Sequence, residues 1–200
     1  SLLQTEEGYY RVSSDGDSKI FLSHFPELKA IGQGEESLVW QAPEGFPYSE
    51  EVSSPEVYNF DSKWYIYFSA HDGIPDHTRI FVLSSDQATG PYHMQAQVSA
   101  VSDRWATDPT VFSLPDGRRY LLWTGRDGVS SEQENIYISA MQNPWTLART
   151  LEVAGRYEAE NSLWHNGFQR DTLMTESGQA VAGLNLPDSY LEFRVFVPRA

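Results

Sequence analysis

Carboxylates stand at three places in this sequence where their neighbours suggest chemistry. Asp108 lies in Trp105-Ala106-Thr107-Asp108-Pro109-Thr110, and Glu56 in Ser54-Pro55-Glu56-Val57. An Asp before Pro is also a common turn-former, so Asp108 reads either as a site or as a bend. Glu158 and Glu160 alternate with Tyr157 and Ala159, which on a strand puts both carboxylates on one face. Such a face suits a hard cation with oxygen ligands, calcium above all, or else it is simply solvated. Asp72, Asp76 and His77 also cluster, but their spacing fits no metal cage. With no cysteine, thiolate nucleophiles, disulfide scaffolds and Cys-ligated zinc are excluded. No phosphate-binding glycine loop, Ser-His-Asp order or zinc-binding helix motif occurs.

The elements that must carry these residues are strands. The chain has 200 residues, of which 28 are acidic and 14 basic, for a formal charge of −14. Nucleic acid requires a basic footprint, and an anionic membrane surface repels this field, so both partners are excluded. No apolar run reaches the roughly 18 residues of a spanning helix. Aromatic residues make up 14%, with 14 Gly and 11 Pro, a composition of short strands joined by tight turns. An internal repeat orders them. Tyr10, Tyr65 and Tyr120 recur at intervals of 55, each ending the one or two aromatics that follow an acidic turn. Ile20-Phe21-Leu22, Ile80-Phe81-Val82-Leu83 and Ile136-Tyr137-Ile138 come next as further strands, and Pro55-Glu56-Val57-Tyr58 and Pro109-Thr110-Val111-Phe112 precede the second and third units. Three or four strands per 55 residues is the arithmetic of a β-propeller blade. The repeat stops near Trp145-Thr146-Leu147, and Ser189 to Val197 alternates as one strand of a sandwich.

Four segments resemble glycoside hydrolase family 43: Ser54 to Val57, Asp61 to Ala70, Trp105 to Phe112 and Ala140 to Leu147. The resemblance covers residues 1–148. It implies an all-β fold, a partial five-bladed propeller of about three blades. Tyr157-Glu158-Ala159-Glu160, Ser177-Gly178-Gln179 and the Ser189–Val197 strand are similar to the start of a family 6 or 35 carbohydrate-binding module. That makes 155–200 a β-sandwich fragment, where Glu158 and Glu160 would help hold a structural calcium.

Enzymes of this family invert the anomeric centre of arabinose- or xylose-containing plant polysaccharides. Inversion needs a general base for water and a general acid for the leaving oxygen, set about 6.5–9.5 Å apart. The resemblance assigns Asp108 the third carboxylate, which raises the acid's pKa by its nearby charge. Glu56 either lines the substrate pocket or accepts hydrogen bonds from loop amides. Trp105 either stacks on a sugar face or belongs to the core, and His77 either contacts ligand or is solvated. The family's base lies in an Asp-Pro pair, and Ser1-Leu2-Leu3-Gln4 resembles the residues immediately after that pair. Its acid lies in Glu-Gly-Pro; here Glu44-Gly45 is followed by Phe46, and no such triplet occurs after Trp145. The expectation is therefore an incomplete chain, inactive alone and prone to aggregate. Its parent would be a secreted, cofactor-independent glycosidase with cell-wall polysaccharide or oligosaccharide as partner. The rival expectations are a non-catalytic carbohydrate-binding protein and a propeller-type scaffold.

Overall fold

The computed structural model describes residues 1–98, 104–126 and 134–152, and the strand residues 173–175, 178–184 and 191–194. These residues are all-β, apart from single 3-10 turns at Leu28–Ala30 and Pro75–His77. They form two compact units, Ser1–Leu151 and Glu152–Ala200.

The first unit holds three four-stranded sheets, each built from strands in chain order. The first contains β1 (Leu2–Thr5), β2 (Gly8–Ser14), β3 (Lys19–Phe25) and β4 (Ser37–Gln41). The second contains β5 (Glu50–Phe60), β6 (Lys63–His71), β7 (Arg79–Ser85) and β8 (His93–Gln97). The third contains β9 (Ala106–Ser113), β10 (Arg119–Arg126), β11 (Glu134–Asn143) and β12 (Thr146–Glu152). In the second unit, β13 (Leu173–Thr175), β14 (Gly178–Leu184) and β15 (Leu191–Arg194) make a three-stranded antiparallel sheet.

The 55-residue interval is a structural register. Tyr10, Tyr65 and Tyr120 are buried at equivalent places in β2, β6 and β10, opposite Leu3, Tyr58 and Phe112 of the preceding strands. Strand pairs are closed by the turns their residues favour. Asp61 and Ser62 both have positive φ, 54° and 61°, and join Phe60 to its partner Lys63. This is the two-residue hairpin whose twist matches that of its strands.

The second sheet has a covered face on each side. Val57, Ile66, Phe68, Ala70, Phe81 and Leu83 pack with Tyr10, Val12, Ile20 and Leu22 of the first sheet. Tyr65, Tyr67, Ile80 and Val82 pack with Val111, Leu121, Trp123 and Tyr137 of the third. Successive side chains on a strand point to opposite faces, so a strand covered twice must be apolar at every position. That explains the unbroken runs Trp64-Tyr65-Ile66-Tyr67-Phe68 and Ile80-Phe81-Val82-Leu83. In β2 the burial alternates instead.

Candidate active site

Two bulges make the site. Opposite β6, β5 gains an extra residue between Ser53 and Glu56; opposite β10, β9 gains one between Thr107 and Thr110. Each bulge contains a residue with positive φ followed by proline: Ser54 at 48° before Pro55, and Asp108 at 54° before Pro109. Proline cannot donate to the ladder, so it is tolerated where the ladder is broken. The preceding residue is then held in a conformation that a side chain rarely adopts, a kind of strain that clusters at functional sites. A bulge re-aims the side chain it carries. Here it brings two equivalent positions of neighbouring sheets together: Ser54 Oγ donates to Asp108 Oδ1 at 2.5 Å, across 54 residues of sequence.

Asp108 is exposed, but its backbone is fixed. Its N–H donates to the Oγ of fully buried Ser69 at 3.2 Å, and Thr107 Oγ1 donates to the same oxygen at 3.1 Å. Pro109 is buried beneath it. The result is an anchored carboxylate presented to solvent with one oxygen already hydrogen-bonded.

Glu56 lies two residues beyond Ser54. Thr110 Oγ1 donates to its Oε1 at 3.0 Å and Tyr58 O–H donates to its Oε2. The Tyr58 oxygen in turn accepts the N–H of Val111 at 2.8 Å. Burial, then the Glu56 hydrogen bond, pushes the Tyr58 phenol well above its ordinary value, so it stays a neutral donor. Glu56 thus braces β5 against β9, with a hydrogen bond on each oxygen.

A cleft of about 200 Å³ opens beside the Ser54–Asp108 pair, and Ser53 and Thr107 line it. Trp105 lines it too, with the Arg126 guanidinium 4.0 Å from its ring centre. Arg126 also reaches Asp76 at 3.3 Å and Glu134 at 3.2 Å. Buried His71 gives the cleft its other fixed group. The Gly73 N–H donates to Nδ1 at 3.0 Å, so the neutral ring carries its proton on Nε2, 2.6 Å from Glu51 Oε2.

Of the residues singled out in sequence, the structure brings Asp108, Glu56 and Trp105 to this end of the second and third sheets. His77 sits exposed at the end of its 3-10 turn, its Nδ1 3.0 Å from Asp72 Oδ2, and does not line the cleft. Asp72 is held below the usual carboxylate range mainly by that contact. Glu158 and Glu160 lie outside the described residues. Among the described residues, no three His, Cys, Asp or Glu side chains are arranged to hold a metal. Sequence reasoning missed Ser54, Ser69, Glu51, His71 and Arg126. A signal existed only for Ser54, which stands before Pro55 as Asp108 stands before Pro109.

The chain has relatives. The extracellular exo-alpha-(1->5)-L-arabinofuranosidase of Streptomyces avermitilis is 27% identical over 150 residues, covering 72% of this chain and 31% of that protein. Alpha-L-arabinofuranosidase 43 of Humicola insolens is 25% identical over 143 residues, covering 70% of this chain and 30% of that protein. The chain therefore spans about a third of the length of these curated relatives. The crystal structure of alpha-L-arabinofuranosidase from Lactobacillus brevis superposes with a TM-score of 0.71 at 23% identity, over 92% of this chain and 62% of that one, which shows a shared fold. A family model, Glycosyl hydrolases family 43, matches residues 1–177, running past residue 155, where the sequence reading begins a binding module. With that match over most of its length, and with Asp108 on its bulge within it, the chain belongs to glycosyl hydrolases family 43.

Proposed function

We propose that this chain forms part of a secreted glycoside hydrolase that releases arabinose or xylose units from plant polysaccharides or oligosaccharides with inversion. The observation that carries the reading is Asp108: a strained, backbone-anchored carboxylate hydrogen-bonded by Ser54 at the meeting of two sheets. The family match and the arabinofuranosidase relatives, two of them named extracellular, support the substrate class and the compartment.

In this reading the three four-stranded sheets belong to a five-bladed propeller, with Asp108 where the second and third meet. Its charge raises the pKa of a neighbouring carboxylic acid, which then keeps its proton near neutral pH and gives it to the leaving oxygen. A second carboxylate takes a proton from water on the opposite face of the sugar. Neither proton-transfer role is assigned to a residue of this chain. The step needs no cofactor, and the calcium proposed for Glu158 and Glu160 has no part in it. Trp105 and Glu56 act at the edge of the site, the first beside the cleft and the second as a brace. For 155–200 the proposal is the opening of a carbohydrate-binding sandwich. The antiparallel β13–β15 sheet supports this, while the family match through residue 177 favours a propeller continuation for the part it covers.

The test is release of nitrophenol from nitrophenyl α-L-arabinofuranoside and β-D-xyloside, by this chain and by the longest product of its gene. Asp108→Asn is expected to lower kcat by about 10²–10⁴-fold, the usual worth of acid–base assistance. Equal rates for Asp108→Asn and the parent would remove Asp108 from the mechanism. Binding of arabinose by a product with no turnover would favour a carbohydrate-binding protein instead.

A further inference from the structure

One serine breaks the apolar rule of the second sheet. Strand β6 is covered on both faces and stays apolar from Trp64 to Phe68, yet Ser69 follows at 0% exposure. A buried hydroxyl costs free energy unless it is bonded, and alanine would fill nearly the same space without that cost. Both hydrogen bonds that Ser69 Oγ accepts come from the next sheet: the Asp108 N–H at 3.2 Å and Thr107 Oγ1 at 3.1 Å. We propose that Ser69 is a positioning residue, which sets where the Asp108 carboxylate stands and so the pH range over which the enzyme works; the proposal rests on the hydrolase reading.

Backbone strain is the reason that an anchor is needed. Asp108 has a φ of 54°, unfavourable for any residue with a side chain, and Pro109 after it favours extended backbone. Such a conformation persists only where its surroundings over-determine it. Two bonds do so here. Ser54 Oγ holds the carboxylate at Oδ1, and Ser69 Oγ holds the amide. They belong to neighbouring strands, β5 and β6, so the second sheet grips Asp108 at its side chain and its backbone at once. Without the Ser69 oxygen, the Asp108 N–H and the Thr107 hydroxyl lose their common partner, and the bulge relaxes towards extended backbone.

The consequence is electrostatic. In the hydrolase reading the Asp108 charge raises the pKa of the acid that protonates the leaving oxygen. Two charges interact as the inverse of their separation, so a carboxylate that swings away raises it less. At an effective dielectric of about 20, a move from about 5 to about 6 Å lowers the acid's pKa by roughly 0.4 unit. The acid works in its protonated form, so activity is then lost at lower pH on the alkaline side. The acidic side, set by the base, stays in place. Other charged groups at this end of the sheets are committed elsewhere. Glu56 of β5 is bonded by Thr110 and Tyr58, Glu51 of β5 and His71 of β6 bond each other, and Arg126 of β10 pairs with Asp76 and Glu134. The Ser1 ammonium donates to the Val12 and Pro55 carbonyls.

The test is the pH profile of kcat/KM for the longest product of the gene, with α-(1→5)-L-arabinobiose or β-(1→4)-xylobiose, whichever it cleaves faster. A disaccharide is used because its leaving sugar hydroxyl needs the acid's proton. Ser69→Ala, Asp108→Asn and Ser84→Ala are compared with the parent, each with a melting curve. Ser84 is a buried serine of β7 and controls for the loss of any core hydroxyl. Ser69→Ala is expected to move the alkaline limb down by about 0.4 unit, Asp108→Asn by about one unit or more, and Ser84→Ala not at all. If Ser69→Ala does not fold, Ser69→Cys, which keeps a weaker acceptor, is read in its place and should move the limb the same way by less. A limb that stays in place on changing Ser69 while Asp108→Asn moves it overturns the proposal and leaves the hydrolase reading standing. An equal shift in Ser84→Ala overturns it too. If Asp108→Asn itself leaves the limb unmoved, the role of Asp108 falls and Ser69 with it; if neither disaccharide is cleaved, the hydrolase reading falls as a whole.

Discussion

Ser54 acts in the proposed hydrolysis as a positioning residue: its hydroxyl bonds Asp108, and it does not line the cleft. Its hydroxyl fixes one carboxylate oxygen, leaving the other to act. Ser54→Ala keeps the bulge, since Pro55 remains, but frees the carboxylate to rotate. In the active protein kcat should fall about tenfold with KM little changed, in line with the loss of one charge-assisted hydrogen bond. Ser54→Asn, which tolerates the positive φ and keeps a donor, should restore part of it. A fall in KM and kcat together that Asn does not rescue would mean that Ser54 only supports the backbone. These residues differ in how legible they are. Asp108 and Glu56 stand out in the sequence as carboxylates beside prolines. Ser54 occupies the equivalent of Asp108 one unit earlier, and its place before a proline is its one signal, because the repeat shows itself chiefly through its aromatics. His71 and Arg126 end strands in different sheets, and only packing between sheets brings them to one cleft.

At the scale of elements, the hairpin closures are decided by single backbone positions. Gly8 opens β2 with φ at 125°, and a Cβ there would lie 2.3 Å from the Phe25 carbonyl oxygen. Gly117, with φ at 86°, would put a Cβ into open space. Gly8→Ala should therefore cost about 1–3 kcal/mol of stability and shift the urea midpoint clearly more than Gly117→Ala. Equal shifts would show that the φ values matter and the Phe25 contact does not. Strand positions are the most readable part of the sequence, because aromatic and β-branched runs suit few other structures. The bulges are not readable. Pro within a strand pattern signals an edge or an irregularity, and nothing local says which way the preceding side chain turns.

Across the first unit, the tyrosines couple folding to pH. Tyr58, Tyr67 and Tyr92 are each pushed above the ordinary phenol value of 10.0, in every case chiefly by burial. Their neutral form is the folded one, and the unfolded chain loses protons first as pH rises. The unfolded state then binds fewer protons than the folded, so stability falls with rising pH from about 10 upward. Below that both states are protonated and these groups contribute no slope. Absorbance at 295 nm should show these phenols ionising only together with the loss of near-ultraviolet circular dichroism. Ionisation well before that loss would mean that water reaches them in the folded chain. The acidic excess, −14 overall, is plain from composition alone and opposes the basic field that nucleic-acid binding needs.

Three contacts between the second and third sheets join positions 54, 54 and 53 residues apart: Ser54 with Asp108, Thr110 with Glu56, Val111 with Tyr58. Along this edge the second unit meets the third through almost the same position in both. A gene that lengthened by copying one such unit would not have to invent a joint, since the copy's edge already fits the original's. Chemistry then asks little of ancestry. Where a hydroxyl stands at the bulge of one unit, a carboxylate stands at the bulge of the next, and the first steadies the second.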